Sequence, residues 1–169
     1  MNIRIAQRED MPQVEQLYRA LIDQMRHTGP VIWNNIYPFE VLGDDLLGKR
    51  LYLVEEKGIL LAVFALSERN VGERAVVWQE PEAKCLWLDR LAVRCDMLRS
   101  GIGGVAVTLA IARAKELGAE YLRLFVVDYN EPALRFYRKL GFCTAEGDFH
   151  QHMTDGRILR EFGMEIKVL

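Results

Sequence analysis

An α/β fold, a mixed and mostly antiparallel sheet flanked by helices in a single domain over residues 1–169, is predicted by three observations. Helix and strand patterns alternate through the second half of the chain, which calls for crossover connections. The first half holds a hairpin, because the apolar runs Leu51 to Glu55 and Ile59 to Ser67 are separated by the turn Lys57-Gly58. A chain of 169 residues that is 50% hydrophobic is long enough for one well-packed core and short for two. No internal repeat, low-complexity tract or linker interrupts it.

Taken in order, Ile3 and Ile5 alternate with polar neighbours as in a short strand. Asp10 and Gln13 have the spacing of a capping box. Met11, Val14, Leu17, Tyr18, Leu21, Ile22 and Met25 then recur at three and four residues, so a helix runs to about His27 and ends at Gly29-Pro30. The next stretch holds Trp33, Tyr37 and Phe39 near Glu40, Asp44 and Asp45, with a shorter helix after Pro38. In the hairpin, the second strand is nearly continuously apolar and therefore central. Asn70 to Lys84 reads as a loop or partial strand around Trp78, and Cys85 to Val93 as a strand with Asp89 and Arg90 in its middle.

From Gly101 a helix carries Ile102, Val105, Ala106, Leu109 and Ala112 on one side and stops at Gly118. Tyr121 to Val127 is β-rich, and Asn130 caps a helix that has Pro132 in its first turn and Gly141 as its stop. Phe142 to Ala145 and Phe162 to Val168 form an antiparallel pair joined by the polar segment Gly147 to Glu161.

The net charge is −2 with both signs well mixed, which gives no reason to bind nucleic acid or an anionic membrane and favours a small-molecule or peptide partner. Cys85, Cys95 and Cys143 are odd in number and lack metal-ligand spacing, so neither a disulfide framework nor a zinc site is indicated. The start MNIRIAQRED has no apolar run, and no stretch approaches membrane-spanning length. A cytoplasmic protein is expected.

Two motifs carry the chemistry. The first is Gly101-Ile102-Gly103-Gly104, where a strand pattern has ended and a helical one begins. Glycines let a ligand approach the backbone, and the free N–H groups of the helix start favour an anion, phosphate above all. Gly101-x-Gly103-x-x-Ala106, with Asp128 further on, also fits a dinucleotide fingerprint and keeps a nicotinamide-dependent oxidoreductase as an alternative. That fingerprint needs its first glycine tight against the strand, whereas the charged run Arg94 to Ser100 intervenes. A nucleoside triphosphate loop fails for want of Gly-Lys-Ser/Thr. The second motif is Asn130-x-x-Ala133-x-x-Phe136-Tyr137-x-x-x-Gly141-Phe142. Ala133 and Tyr137 fall at i+3 and i+7 from Asn130, on one helix face, and a small residue between two polar ones leaves room for a ligand. Taken alone, Tyr137 reads as an ordinary amphipathic core tyrosine.

Together the motifs resemble the core of the GCN5-related N-acetyltransferase (GNAT) family, over the stretch from Leu86 to Phe142. The resemblance implies the acyl-CoA N-acyltransferase fold and transfer of acetyl from acetyl-CoA to an amine, with no metal. It implies that the backbone of Leu91, Ala92 and Val93 pairs with the pantetheine arm and polarises the acetyl carbonyl, and that Gly101, Ile102, Gly103 and Gly104 hold the pyrophosphate. The family usually has Gln or Arg three residues before the first glycine; Leu98 stands there with Arg99 beside it, so the contact falls to backbone or to Arg99. Asn130 and Ala133 would line the coenzyme A site. Tyr137 would protonate the departing thiolate.

An alkylamine is mostly protonated at neutral pH, so a carboxylate helps it react. Asp89, in the strand the family uses for this purpose, is the candidate for orientation or general base; the alternative is a partner for Arg90. Glu80, Glu82, His150 and His152 are weaker candidates, and the two histidines do not make a metal site. The primary amine of a small molecule or peptide is expected between the segments Trp33 to Asp45 and Asn70 to Lys84, because aromatic rings beside carboxylates suit an alkylammonium. The alternative is that Trp33, Tyr37 and Phe39 close the core. An acyl-CoA-binding sensor without turnover is the non-enzyme alternative, and a homodimer is left open.

Overall fold

The computed structural model describes residues 1–168, so Leu169, the end of the predicted domain, lies outside them. The elements follow in the order β1 (Asn2–Ile5), α1 (Met11–Thr28), α2 (Phe39–Leu47), β2 (Leu51–Glu56), β3 (Ile59–Ser67), β4 (Val76–Val77), β5 (Cys85–Val93), α3 (Ile102–Glu116), β6 (Tyr121–Val127), α4 (Glu131–Lys139), β7 (Cys143–Thr144), β8 (Glu146–Gly147), β9 (Phe149–His152) and β10 (Ile158–Lys167). Of the described ladders, β5 with β6 is parallel and the others are antiparallel. The architecture is thus the expected mixed α/β one, a mostly antiparallel sheet with four helices. The chain forms two compact units, Met1–Leu66 with Arg90–Ala110, and Ser67–Asp89 with the chain from Ile111 onward.

In the first unit, β1 pairs with β2 and β2 with β3, joined by the two-residue turn Lys57-Gly58. Both turn residues have positive φ, 51° and 78°, the combination that matches the twist of a tight hairpin. Val14, Leu17, Tyr18 and Leu21 of α1 pack with Leu51, Leu53, Val63 and Ala65 of the hairpin and Leu42 of α2. Trp33 and Phe39 set their rings edge-on to Tyr18, at 5.5 and 6.4 Å, and close this core. Asp10 does not make the box expected with Gln13. Its carboxylate accepts from Arg4 at 2.7 and 2.8 Å and from the Gln7 N–H at 2.7 Å, capping a short 3-10 turn over Arg8–Asp10 ahead of α1. Arg4 holds the Asp10 carboxyl below its usual range.

In the second unit, β10 lies against β6, with Glu161 opposite Val127 and Lys167 opposite Tyr121, and also pairs with β7 and β9. The first residues of β5 run parallel to β6, with Cys85 opposite Tyr121 and Trp87 opposite Arg123. The segment expected as a polar connector, Gly147 to Glu161, instead folds into β8, β9 and the start of β10. Its polarity comes from alternation: β9 shows every second residue to solvent, while Phe149 packs on Phe125 at 5.4 Å. Trp78, Trp87 and Phe125 form an aromatic cluster, Trp87 stacked on Phe125 at 5.5 Å.

Helix α3 begins at Ile102 and buries Ile102, Ala106, Val107, Ala110 and Ala114. Val105, expected on the buried face, is exposed, because small alanines let a neighbouring stripe pack more closely. Helix α4 starts as expected, with the Asn130 side chain accepting from the Ala133 N–H at 3.3 Å, and ends before Gly141 at φ 93°.

Candidate active site

In the first unit the strand residues Leu91, Ala92 and Val93 follow Arg90, whose φ of 55° is in the left-handed region. That conformation is uncommon for a residue with a Cβ and interrupts the pleat of β5. Arg90 is held on both sides. Its carbonyl accepts from the Tyr18 hydroxyl at 2.7 Å, and its guanidinium meets Asp45 at 2.7 Å and donates to the Tyr37 hydroxyl at 3.4 Å. Arg50 reaches Asp45 as well, at 3.3 Å. Asp45 is therefore buried and neutralised by two arginines. In the Trp33 to Asp45 segment, Asp45 is thus an internal ion-pair partner and Trp33 and Phe39 pack against the core, while Glu40 and Asp44 are exposed.

After β5 a 3-10 turn over Cys95–Met97 leads to Leu98 and Arg99, both exposed. Arg99 and Gly101 take positive φ, 63° and 91°, and a Cβ at Gly101 would meet nothing within 4 Å. The first bond of α3 runs from the Val105 N–H to the Gly101 carbonyl at 3.1 Å. The N–H groups of Ile102, Gly103 and Gly104 thus have no acceptor within the helix, and two of the three come from residues without a side chain. Free donors and the helix dipole are the features that favour an anion at such a turn. The turn Cys95–Met97 also separates the strand from Gly101, which is unlike the tight strand-to-glycine turn of a dinucleotide site.

In the second unit Tyr137 of α4 is buried, its ring edge-on to Phe136 at 5.0 Å and Phe142 at 5.4 Å. Among the described residues its hydroxyl has no hydrogen-bond partner. Burial, and then the charge of Asp89, pushes its ionisation above the usual tyrosine range, so the proton stays on oxygen at neutral pH. Asp89 itself is half-buried at the end of the β5 segment in this unit. The same charge acts on a residue that sequence reasoning passed over, Glu161 of β10. Its side chain is 9% exposed, and burial, with Asp89 second, pushes its carboxyl up to about 7. A readable signal was present: Leu159, Glu161, Gly163 and Glu165 alternate onto one face, so a charge at 161 falls in line with an apolar residue.

The weaker candidates are placed otherwise. Glu80 accepts from Lys167 at 3.0 Å and from the Tyr121 hydroxyl at 2.8 Å, and Lys167 holds its carboxyl low. Glu82 is exposed. His150 is exposed with Asp148 at 3.6 Å, and His152 is exposed too. Among the described residues no three metal-ligating side chains assemble, and no helix is long and apolar enough to cross a membrane.

The described features are thus an α/β fold, a helix start with free N–H groups in the first unit and, in the second, a buried tyrosine that feels the charge of Asp89. The acetyltransferase (GNAT) family profile matches residues 14–142, and the chain belongs to that family; it is an N-acetyltransferase by class. Solved structures share the fold at low identity. A GNAT-family acetyltransferase of Listeria monocytogenes is 16% identical with TM-score 0.72, over 98% of this chain and 94% of that one. A Salmonella typhimurium protein, described as a candidate acetyltransferase with its cofactor acetyl-CoA, is 16% identical with TM-score 0.67, over 100% and 94%. The ribosomal-protein-S18-alanine N-acetyltransferase of Escherichia coli is 21% identical with TM-score 0.62, over 99% and 93%. No curated protein sequence matches the chain.

Proposed function

We propose that residues 1–169 act as one N-acetyltransferase domain that moves acetyl from acetyl-CoA directly to a primary amine of a small molecule or peptide. Acetyl-CoA, when bound, supplies the acetyl group as an activated thioester. The N–H groups at Ile102, Gly103 and Gly104 hold its pyrophosphate, with Arg99 in place of the Gln or Arg that Leu98 replaces. The backbone of Leu91 to Val93 receives the pantetheine arm, and Asn130 and Ala133 line the coenzyme A site. Asp89 draws in and orients the acceptor's ammonium. Tyr137 keeps a proton for the departing sulfur. A cytoplasmic setting belongs to this reading, supported by three free thiols, Cys85, Cys95 and Cys143.

The observation that carries the reading is the state of Tyr137: buried, held protonated, and with a hydroxyl that no described residue engages. A structural tyrosine would instead use that hydroxyl on a neighbour. Tyr137→Phe keeps the ring and removes the acid. A thiolate leaving group gains modestly from a proton, so kcat should fall about a hundredfold, the lower part of the range for acid catalysis, with acetyl-CoA affinity and melting temperature close to the parent's. A near-parent kcat would remove Tyr137 from the mechanism.

A further inference from the structure

We infer that Glu161 is the base that takes the proton from the acceptor's ammonium group. The inference rests on the acetyl-transfer reading above and adds a residue that the family resemblance did not supply.

Glu161 sits on the inward face of β10, opposite Val127 of β6 and Phe149 of β9. Its residue is 9% exposed, and among the described residues no hydrogen bond or ion pair reaches its carboxylate, whose oxygens are not among the fully sealed polar atoms. The charged groups on the flanking strands are committed to one another: Arg160 with Asp148 at 2.7 Å and Asp128 at 3.8 Å, His150 with Asp148, and Arg123 with Glu165 at 3.1 Å. Among the described residues the charge that acts on Glu161 is that of Asp89, and Tyr137 feels the same carboxylate. A buried carboxylate without a cation is costly, so a fold retains one where a ligand brings the cation.

The step balances. The Glu161 carboxylate removes one proton from the alkylammonium, leaving a neutral amine whose lone pair attacks the acetyl carbonyl carbon. The C–N bond forms and the C–S bond breaks. The Tyr137 hydroxyl gives its proton to the departing sulfur and regains one from the nitrogen, which becomes the amide. Glu161 returns its proton to solvent, so one proton is released per turnover. A carboxyl poised at about 7 suits a base that works near neutral pH, and below that value it fills and turnover should fall.

The test uses the full chain and the primary amine that gives the fastest thiol release in a screen of alkylamines, polyamines and peptide N-termini. Glu161→Gln is isosteric. It should lower kcat/KM at least a hundredfold and abolish the acidic limb of its pH profile, with acetyl-CoA affinity unchanged by calorimetry, whereas Glu161→Asp should keep the limb. A parent-like kcat/KM and limb in Glu161→Gln would overturn the assignment. Carboxyl-carbon NMR reads the group without turnover: a Glu161 midpoint about 7 that falls in Asp89→Asn supports it, and an ordinary glutamate midpoint, about 4.3, overturns it. If no amine releases thiol, amine acetylation itself fails, while the NMR titration still decides whether Glu161 is poised as a base.

Discussion

Glu165 and Glu161 lie four residues apart on one face of β10, both buried, and they meet opposite surroundings. Glu165, 2% exposed, accepts from Arg123 at 3.1 Å and from the Gln79 N–H at 2.7 Å. Arg123 is itself fully buried, donates to the Glu80 carbonyl at 2.7 Å and lies over the Trp78 ring at 4.7 Å. The two charged groups at that end are thus partnered inside the protein. At the other end Glu161 meets only the like charge of Asp89. Both are buried; the partner differs. A satisfied carboxylate fixes structure, whereas Glu161, without such partners, holds its proton into the neutral range, where it can exchange it.

The largest expected effect comes from breaking the satisfied end. Arg123→Met keeps much of the volume but strands Glu165, and unfolding in urea should show a loss of about 3–5 kcal/mol, the usual result of removing one member of a buried pair. A loss no larger than that of a surface substitution would make the two ends alike. The next effect runs the other way and depends on pH. The Glu161 carboxyl lies at about 7 folded against 4.5 for the ordinary group, so the native state holds the extra proton between those values. Its contribution is full below pH about 4.5 and is lost as pH rises through about 7. Glu161→Gln, which cannot ionise, should therefore be more stable than the parent by about 3 kcal/mol at pH 8 and nearly equal to it at pH 4. Melting curves at the two pH values check this, and a pH-independent difference would contradict it.

The smallest effect belongs to the spacer between the ends. A Cβ at Gly163 would come to 2.6 Å from the Trp78 ring and 3.0 Å from Val76. Gly163→Ala should cost about 1–3 kcal/mol through overpacking while leaving the Glu161 titration where it was. A shifted midpoint would show that the two ends are coupled through the aromatic cluster.

Local signals carried well from sequence to structure, and pairings at a distance did not. The Lys57-Gly58 turn, the cap at Asn130 and the stop at Gly141 each depend on chemistry within a few residues, and each stands where the sequence placed it. Asp10 misled because two sets of donors compete for its carboxylate: the N–H groups of a helix start three residues on, and Arg4 of β1. Asp45 looked like half of a cation site, and the cation it meets is Arg90, forty-five positions later. Glu161 was hidden inside a segment whose polarity suggested a connector; only the pairing of β10 with β6 and β9 turns that polarity into an alternating strand with an inward carboxylate.

Arg90 imposes opposing demands on its own replacement. Its left-handed backbone suits glycine or asparagine, and either would relieve local strain of about 1 kcal/mol. Its side chain reaches a buried carboxylate and a tyrosine hydroxyl at once, a span that needs the planar fork of a guanidinium. Lysine keeps the charge and loses the fork that spans both partners; glycine frees the chain and leaves Asp45 to Arg50. In a saturation library position 90 should therefore favour arginine, not because arginine suits that backbone but because every residue that does would leave a buried acid with Arg50 as its one cation among the described residues.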